Sequence, residues 1–465
     1  MAKVLISFLG TGVFKDAPTR TYGTAKYSFN GTTLESSFVS KVLYDSLGID
    51  KMILIGSTHS MWEEVYEVFA KDKHSRVTFD QNKWEQICDA CDKNTHKSEL
   101  AIPHPEAIEE AIGGGSHVVL VKYGITADEI KQNSEIILGL ESLLNENDEL
   151  YVDITHSFRS LPLYVMNLLV YLRNVSPKRI EIKGIYYGML DARYEFNDIA
   201  PIVELSDILN VNDWISGAYS FMQFGNAYKI ASLIPAQYKN VSDTLREFSD
   251  IENLNHLVAL YDQYQKLQTL TKENQNWPRI MQMIIPQVVG RYTKTIKPKT
   301  SANQNKTLTD HKTSDFQFNI AQWQLGRYNF LAAITALVEA IITRCCELVA
   351  MDYTDNLEDL ESLAKDKLFR DATKDYLTGV CSNKIRTIDI LRDWAVLWQS
   401  IALIRNRLVH ALEIKDAPEQ IIEKLRAAIK KYNKLIMKDG KLEYNYAEAY
   451  IWINNRYEEL QNIRQ

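Results

Sequence analysis

Residues 151–162 read Tyr-Val-Asp-Ile-Thr-His-Ser-Phe-Arg-Ser-Leu-Pro, and they set the fold of the first half of the chain. An apolar, β-branched run ends here and a helical spacing begins, with Pro162 tolerated in a first helical turn. Alternation along the strand puts Asp153 and Thr155 on one face and leaves His156 and Ser157 at its carboxyl end. In an open α/β sheet that end is where ligands sit. The free N–H groups of the helix start, with Ser157, Arg159 and Ser160, suit an anion. Capping a helix takes one polar residue, and here six cluster between Asp153 and Ser160.

Further apolar runs at Val4–Phe8, Met52–Ile55, Val118–Val121, Leu150–Ile154 and Ile180–Tyr187 alternate with helical spacings. The latter lie at Ser36–Leu47, Met61–Phe69, Ile130–Leu144 and Pro162–Leu172. Such alternation predicts a mostly parallel sheet covered on both faces. The first strand leads into Leu9-Gly10-Thr11-Gly12, a turn open to close ligand approach but short of a full G-x-G-x-x-G. After Leu205 strand signals fade. Val211–Leu233, Val241–Leu267, Phe316–Met351, Arg386–Leu412 and Ala417–Met437 all carry helical spacing. The expected architecture is therefore α/β followed by all-α: a Rossmann-like domain over 1–205 and a helical domain over 206–465. A polar, basic insertion near 291–312 reads as a surface loop or as an arm that attracts RNA.

The composition narrows the class. A constitutive binder of long duplex nucleic acid is usually basic overall, so with a net charge of −7 over 465 residues any nucleic-acid contact is expected to be local. Five cysteines (Cys88, Cys91, Cys345, Cys346, Cys381) fit free thiols in a reducing cytoplasm. The longest apolar stretch, Leu161 to Leu172, is too short to span a bilayer, which takes roughly 20 residues. A cytoplasmic protein without membrane partners is expected. Cys88, Cys91, His96 and His104 have a zinc-like spacing without a second CxxC, and many charges surround them. A solvated helix explains them better, and no metal site is expected. Walker, HExxH and G-x-S-x-G motifs are absent.

The second constellation is Arg405-Asn-Arg-Leu-Val-His410. A guanidinium that holds phosphate and an imidazole that moves protons are what a metal-free ribonuclease needs. Trp394, Leu397, Trp398, Ile401, Ile404, Leu408 and Leu412 form the apolar stripe of this helix, and Arg405 sits at its edge. His410 projects to the opposite side, within about 40° of Asn406 and roughly 140° from Arg405 on a regular helix. A helix irregularity or a second chain is needed to unite them. A solvated helix end with basic residues is the plainer reading of the same spacing.

Together, in this order, the two constellations resemble a known family. Asp153-Ile-Thr-His-Ser157 resembles the DxTHG signature of CRISPR-associated proteins with a CARF (CRISPR-associated Rossmann fold) domain. Arg405–His410 resembles the R-x(4–6)-H motif of HEPN ribonucleases. Leu9–Gly12, and Ala336-Leu-Val-Glu339-Ala in a preceding helix, support the match. The resemblance implies an ancillary effector of type III CRISPR antiviral systems: a homodimer without cofactor, whose CARF pair binds a cyclic oligoadenylate activator and whose HEPN pair cuts single-stranded RNA. It implies ligand binding by Gly10, Thr11, Gly12, Thr155, His156, Ser157, Arg159 and Ser160, and catalysis by Arg405, Asn406 and His410. Ser157 replaces the signature's last glycine, adding a hydroxyl and leaving ring size open. Two-fold symmetry favours even rings, with cyclic tetra-adenylate ahead of hexa-adenylate. Rival readings are a ligand-sensing regulator, a ring nuclease acting on the activator, and a nicotinamide-dependent oxidoreductase. The missing basic winged helix and incomplete glycine motif count against the first and last.

Overall fold

A computed structural model gives the fold and describes residues 1–14, 20–156, 160–272, 274–296, 312–351, 353, 357–410, 416–439 and 444–464. Most of the basic stretch near 291–312 lies outside them, as do Ser157 and Arg159. The chain divides into two compact units, Met1–Asn212 and Asp213–Gln465. That division falls within the helix Asp207–Phe224, later than the expected boundary at 205.

The first unit is built on one eight-stranded sheet: β1 Lys3–Leu9, β2 Ala25–Phe29, β3 Thr32–Ser36, β4 Lys51–Gly56, β5 His117–Leu120, β6 Glu149–Asp153, β7 Glu181–Gly188 and β8 Ile199–Glu204. Their spatial order is β3-β2-β8-β7-β6-β1-β4-β5. Central β1 runs parallel to both neighbours, pairing Leu5 with Tyr151 of β6 and with Met52 of β4. Its buried residues on both faces explain why Val4–Leu9 is apolar apart from Ser7. Helices Val39–Leu47, Trp62–Ala70, Gln81–Lys93 and Pro105–Ile112 cover one face of the sheet, and Ala127–Gly139 and Leu161–Asn174 cover the other. The edge hairpin β2–β3 turns at Asn30-Gly31, both at positive φ (49° and 80°). That is the two-residue geometry matching strand twist.

The second unit is helical among its described residues. Positive-φ residues interrupt three of the expected long helices, the first at Gly225 (φ 69°) between Asp207–Phe224 and Tyr228–Ser232. Asn255 (φ 52°) separates Lys239–Asn253 from Leu257–Lys272, and Tyr328 (φ 61°) separates Lys312–Gly326 from Phe330–Ala350. One apolar core runs from Trp214 to Ile453. Within it Phe318 stacks on Tyr432 with ring centres 4.0 Å apart. Among the described residues no helix is long and apolar enough to cross a membrane.

A charged cluster is buried in this core. Arg344 forks onto Asp439 through Nε and a terminal nitrogen at 3.0 and 2.9 Å. Glu347, one helical turn from Arg344, accepts from the Ser314 backbone and hydroxyl. Burial pushes the Glu347 carboxyl up to about 7, and the Arg344 charge and the Ser314 hydrogen bonds offset this only in part. The folded state therefore holds this proton more tightly than the unfolded chain. The stability it contributes is whole below the ordinary value of 4.5 and lost as pH rises through about 7. Glu347→Gln mimics the protonated form. Its stability relative to wild type should rise by about 1–3 kcal/mol between pH 4.5 and pH 8, read from urea unfolding at both.

Candidate functional site

Strand order reverses between β1 and β6. After β1 and the edge hairpin β2–β3 the chain adds β4 and β5 on one side of β1, then returns to β6 and β7 on the other. Parallel sheets bind ligands at the carboxyl ends flanking such a reversal. Gly10–Gly12 follow β1 and Ile154–His156 follow β6, so the structure brings these sequence-separated loops together. The join is made by Asp153, fully buried, whose carboxylate accepts from the Ser7 hydroxyl of β1 at 2.7 Å. The same carboxylate accepts from the Thr155 backbone and hydroxyl, at 2.9 and 2.5 Å. The Thr155 hydroxyl in turn accepts from the Gly188 N–H at 2.9 Å. Asp153 and Thr155 therefore lock the loop after β6 onto β1 and β7. The Thr155 side chain is thereby engaged by Asp153 and Gly188.

On the opposite wall the loop after β4 closes over the glycine turn. The Met61 N–H donates to the Gly10 carbonyl at 3.1 Å, and the Ser60 hydroxyl donates to the Leu9 carbonyl at 2.9 Å. Gly12 has φ 70°, and a Cβ there would collide with the Met61 sulfur 2.0 Å away. The left-handed backbone favours glycine here, and a larger residue would also have to displace the flexible Met61 side chain. His156 meets Tyr22 edge-on at 5.1 Å and Phe38 at 6.2 Å. Its Nε2 is buried without a hydrogen-bond partner among the described residues. Burial holds the imidazole below its ordinary 6.5, and Asp153 opposes this only in part, so the ring is neutral at pH 7. A neutral ring nitrogen can take up one hydrogen bond. Ser160 is exposed immediately before the helix Leu161–Asn174, and its side chain makes no cap bond. Pro162 has no N–H and that of Leu163 donates to the Ser160 carbonyl at 3.1 Å, so an anion at this helix start would meet few free N–H groups.

The helix Asp389–Val409 carries the second constellation. Arg405 turns inward at the stripe edge, with a terminal nitrogen 3.7 Å from Glu339 Oε1 in the helix Phe330–Ala350. Asn406 and His410 face outward and are exposed, His410 as the residue that ends the helix. The structure thus joins Arg405 to Glu339 and sets His410 on another face of the same element. Val396 and Leu403 are 48% and 57% exposed and precede His410 at seven-residue steps, so all three share one face. Cys91 lies in the core of the first unit, and burial pushes the Cys88 thiol up to about 12.

A family model of the CARF domain of the CRISPR system endoribonuclease Csx1 matches residues 4–191, which contain β2 to β7, nearly all of β1, and the loops after β1 and β6. A model of the second domain of the CRISPR-associated protein MJ1674 matches residues 210–301. MJ1674 itself, from Methanocaldococcus jannaschii, is 31% identical over 453 residues. The chain belongs to the CRISPR-associated CARF proteins. The match covers 93% of this chain and 66% of the relative, so the chain spans somewhat less than two thirds of that protein. Among solved structures, Enterococcus italicus Csm6 bound to cyclic hexa-2'-fluoro-hexa-dAMP aligns over 98% of this chain and 100% of its own. Its identity is 11% and its TM-score 0.35.

Within the CARF domain, sequence reading found the two loops but missed Tyr22, Phe38 and the Ser57–Met61 loop. Nothing in their local spacing signals a pocket, because they reach it through strand order. Arg370, which holds the far side of Glu339 at 2.6 Å, was missed for the same reason.

Proposed function

We propose that this chain is a metal-independent endoribonuclease for single-stranded RNA, switched on when a cyclic oligoadenylate occupies the CARF pocket of a homodimer. The exposed face shared by Val396, Leu403, Asn406 and His410 carries this reading. Two large apolar side chains in water beside an imidazole and an amide suit a second copy of the same helix better than solvent. Pairing two such helices lets His410 of one chain work with Arg405 of either. The name of the matched family, an endoribonuclease, supports the same class of reaction.

In this mechanism His410 assists proton transfer as the ribose 2'-OH attacks the adjacent phosphorus, while Arg405 meets the charge growing on the phosphoryl oxygens. Asn406 orients the imidazole or the phosphate. The products are a 2',3'-cyclic phosphate and a 5'-OH, and DNA is not a substrate. In the CARF domain, Gly10–Gly12 admit the ligand backbone, His156 supplies one hydrogen bond, and the helix start at Ser160, with Ser157 and Arg159, holds phosphate. Cyclic tetra-adenylate is the preferred activator, ahead of hexa-adenylate. The unused Nε2 of neutral His156 favours slow hydrolysis of the activator as a second activity.

Wild-type protein with a fluorogenic RNA in EDTA should cut only after cyclic oligoadenylate is added, and should leave a 2'-deoxy version of the same oligomer intact. Cleavage that ignores the activator, or that EDTA abolishes, would sink this reading.

A further inference from the structure

Arg405 is already engaged. Glu339 reaches it at 3.7 Å, an ion pair too long for a hydrogen bond, while its other oxygen lies 2.6 Å from Arg370. Arg370 is further fixed by the Thr343 hydroxyl at 2.7 Å and the Ala364 carbonyl at 2.8 Å. Arg405 has no such anchoring: its Nε is buried without a hydrogen-bond partner among the described residues. The three groups therefore form an unequal bridge, with the carboxylate firmly held by one arginine and loosely by the other. Two guanidiniums share one carboxylate, so the trio is one negative charge short. A cavity of about 210 Å³, bordered by Glu339, Arg370, Thr335 and Lys365, gives the carboxylate room to withdraw.

We propose that Glu339 and Arg370 are positioning residues that hold Arg405 in reserve, and that the RNA phosphate displaces Glu339 from Arg405 while Arg370 retains it. This rests on the ribonuclease reading above and adds a regulator to the same site. A phosphodiester brings one charge, which is what the trio lacks, and its oxygens can engage the fork that Glu339 leaves unsatisfied. Glu339 thereby competes with substrate at rest, and it keeps Arg370 neutralised once substrate is bound. Arg370 is indispensable as the anchor, since without it the carboxylate closes fully on Arg405.

Affinity for a single-stranded RNA is read by fluorescence anisotropy in full-length His410→Ala protein, which separates binding from cleavage. Steady-state rates are read in the active protein. Glu339→Gln, which preserves size, should tighten RNA binding and lower KM by about three- to tenfold, with kcat within about twofold. Arg370→Gln should weaken binding by a similar factor, and the double variant should recover at least wild-type affinity. Unchanged or weaker binding in Glu339→Gln overturns the proposal. So does a double variant as weak as Arg370→Gln, which would mark Arg370 as a folding residue alone. Cleavage that survives Arg405→Ala defeats the ribonuclease reading itself; cleavage that needs Arg405 but ignores Glu339 defeats only the reserve mechanism.

Discussion

Replacing His410 by alanine is expected to lower activated RNA cleavage by about 10²- to 10⁴-fold, the range for a positioned acid–base group, while leaving the fold intact. The structure separates these two effects. His410 ends its helix in solvent, and its backbone N–H bonds to the Asn406 carbonyl whatever the side chain. An exposed substitution of this kind moves stability by about 0.5 kcal/mol or less. The thermal midpoint and activator binding should therefore match wild type. Rates from a fluorogenic RNA, beside a melting curve of the same sample, provide the check. A variant that retains more than about a tenth of the activity removes His410 from proton transfer. Arg405→Ala is a less clean probe because it also leaves Glu339 with Arg370 alone. His410 is thus the sharper test of where the chemistry sits.

Much of the first unit was legible because its signals are local. A strand buried on both faces is mostly apolar, so Val4–Phe8, Met52–Ile55 and Leu150–Ile154 announced themselves despite Ser7 and Asp153 within two of them. Strands β2, β3 and β8 were missed. β3 is largely exposed and β8 only partly buried, which dilutes the apolar pattern. The Asn30-Gly31 turn was the available signal for β2 and β3. In the second unit the long spacings were right in kind and wrong in extent. Helical periodicity continues across Asn255 and Tyr328, and only a positive φ at each ends the helix. Neither residue type demands that conformation, although asparagine accepts it readily. The sensor loops could be named from their residues, but not the division of labour between them. That Asp153 and Thr155 tie the loop after β6 to β1 and β7 follows from hydrogen bonds to Ser7 and Gly188 across 146 and 33 residues of chain. The inward turn of Arg405 was partly legible from its place at the stripe edge. Its partner Glu339 was noted as a neighbouring motif, yet Arg370 comes from a helix whose sequence gives no hint of the pairing.

Asp153→Ala should be the most damaging single change in the CARF domain, and its damage should reach the remote site. The carboxylate is fully buried and accepts three hydrogen bonds, from the Ser7 hydroxyl and from the Thr155 backbone and hydroxyl. Alanine leaves all three donors without an acceptor in a space that a methyl group cannot fill. Each unsatisfied donor costs about 1–3 kcal/mol and local relaxation recovers part, so a net loss of about 3–5 kcal/mol is expected. Asparagine in its place keeps the shape and one acceptor oxygen, and the Ser7 hydroxyl can reverse its bond. The Asp153→Asn cost should fall to about 1–2 kcal/mol. The functional loss follows from the same bonds. Thr155 passes the lock on to Gly188, so without Asp153 the loop after β6 loses its register with β1, and Gly10–Gly12 no longer face His156. The activator concentration for half-maximal RNA cleavage should rise at least about tenfold, because an ordering cost near 1.4 kcal/mol then falls on binding. Full-length protein, followed by thermal unfolding and by activator titration of RNA cleavage, tests both parts. An Asp153→Ala protein that melts and responds like wild type would show that the sheet positions the pocket without this carboxylate. A protein that melts early but responds normally would confine Asp153 to stability.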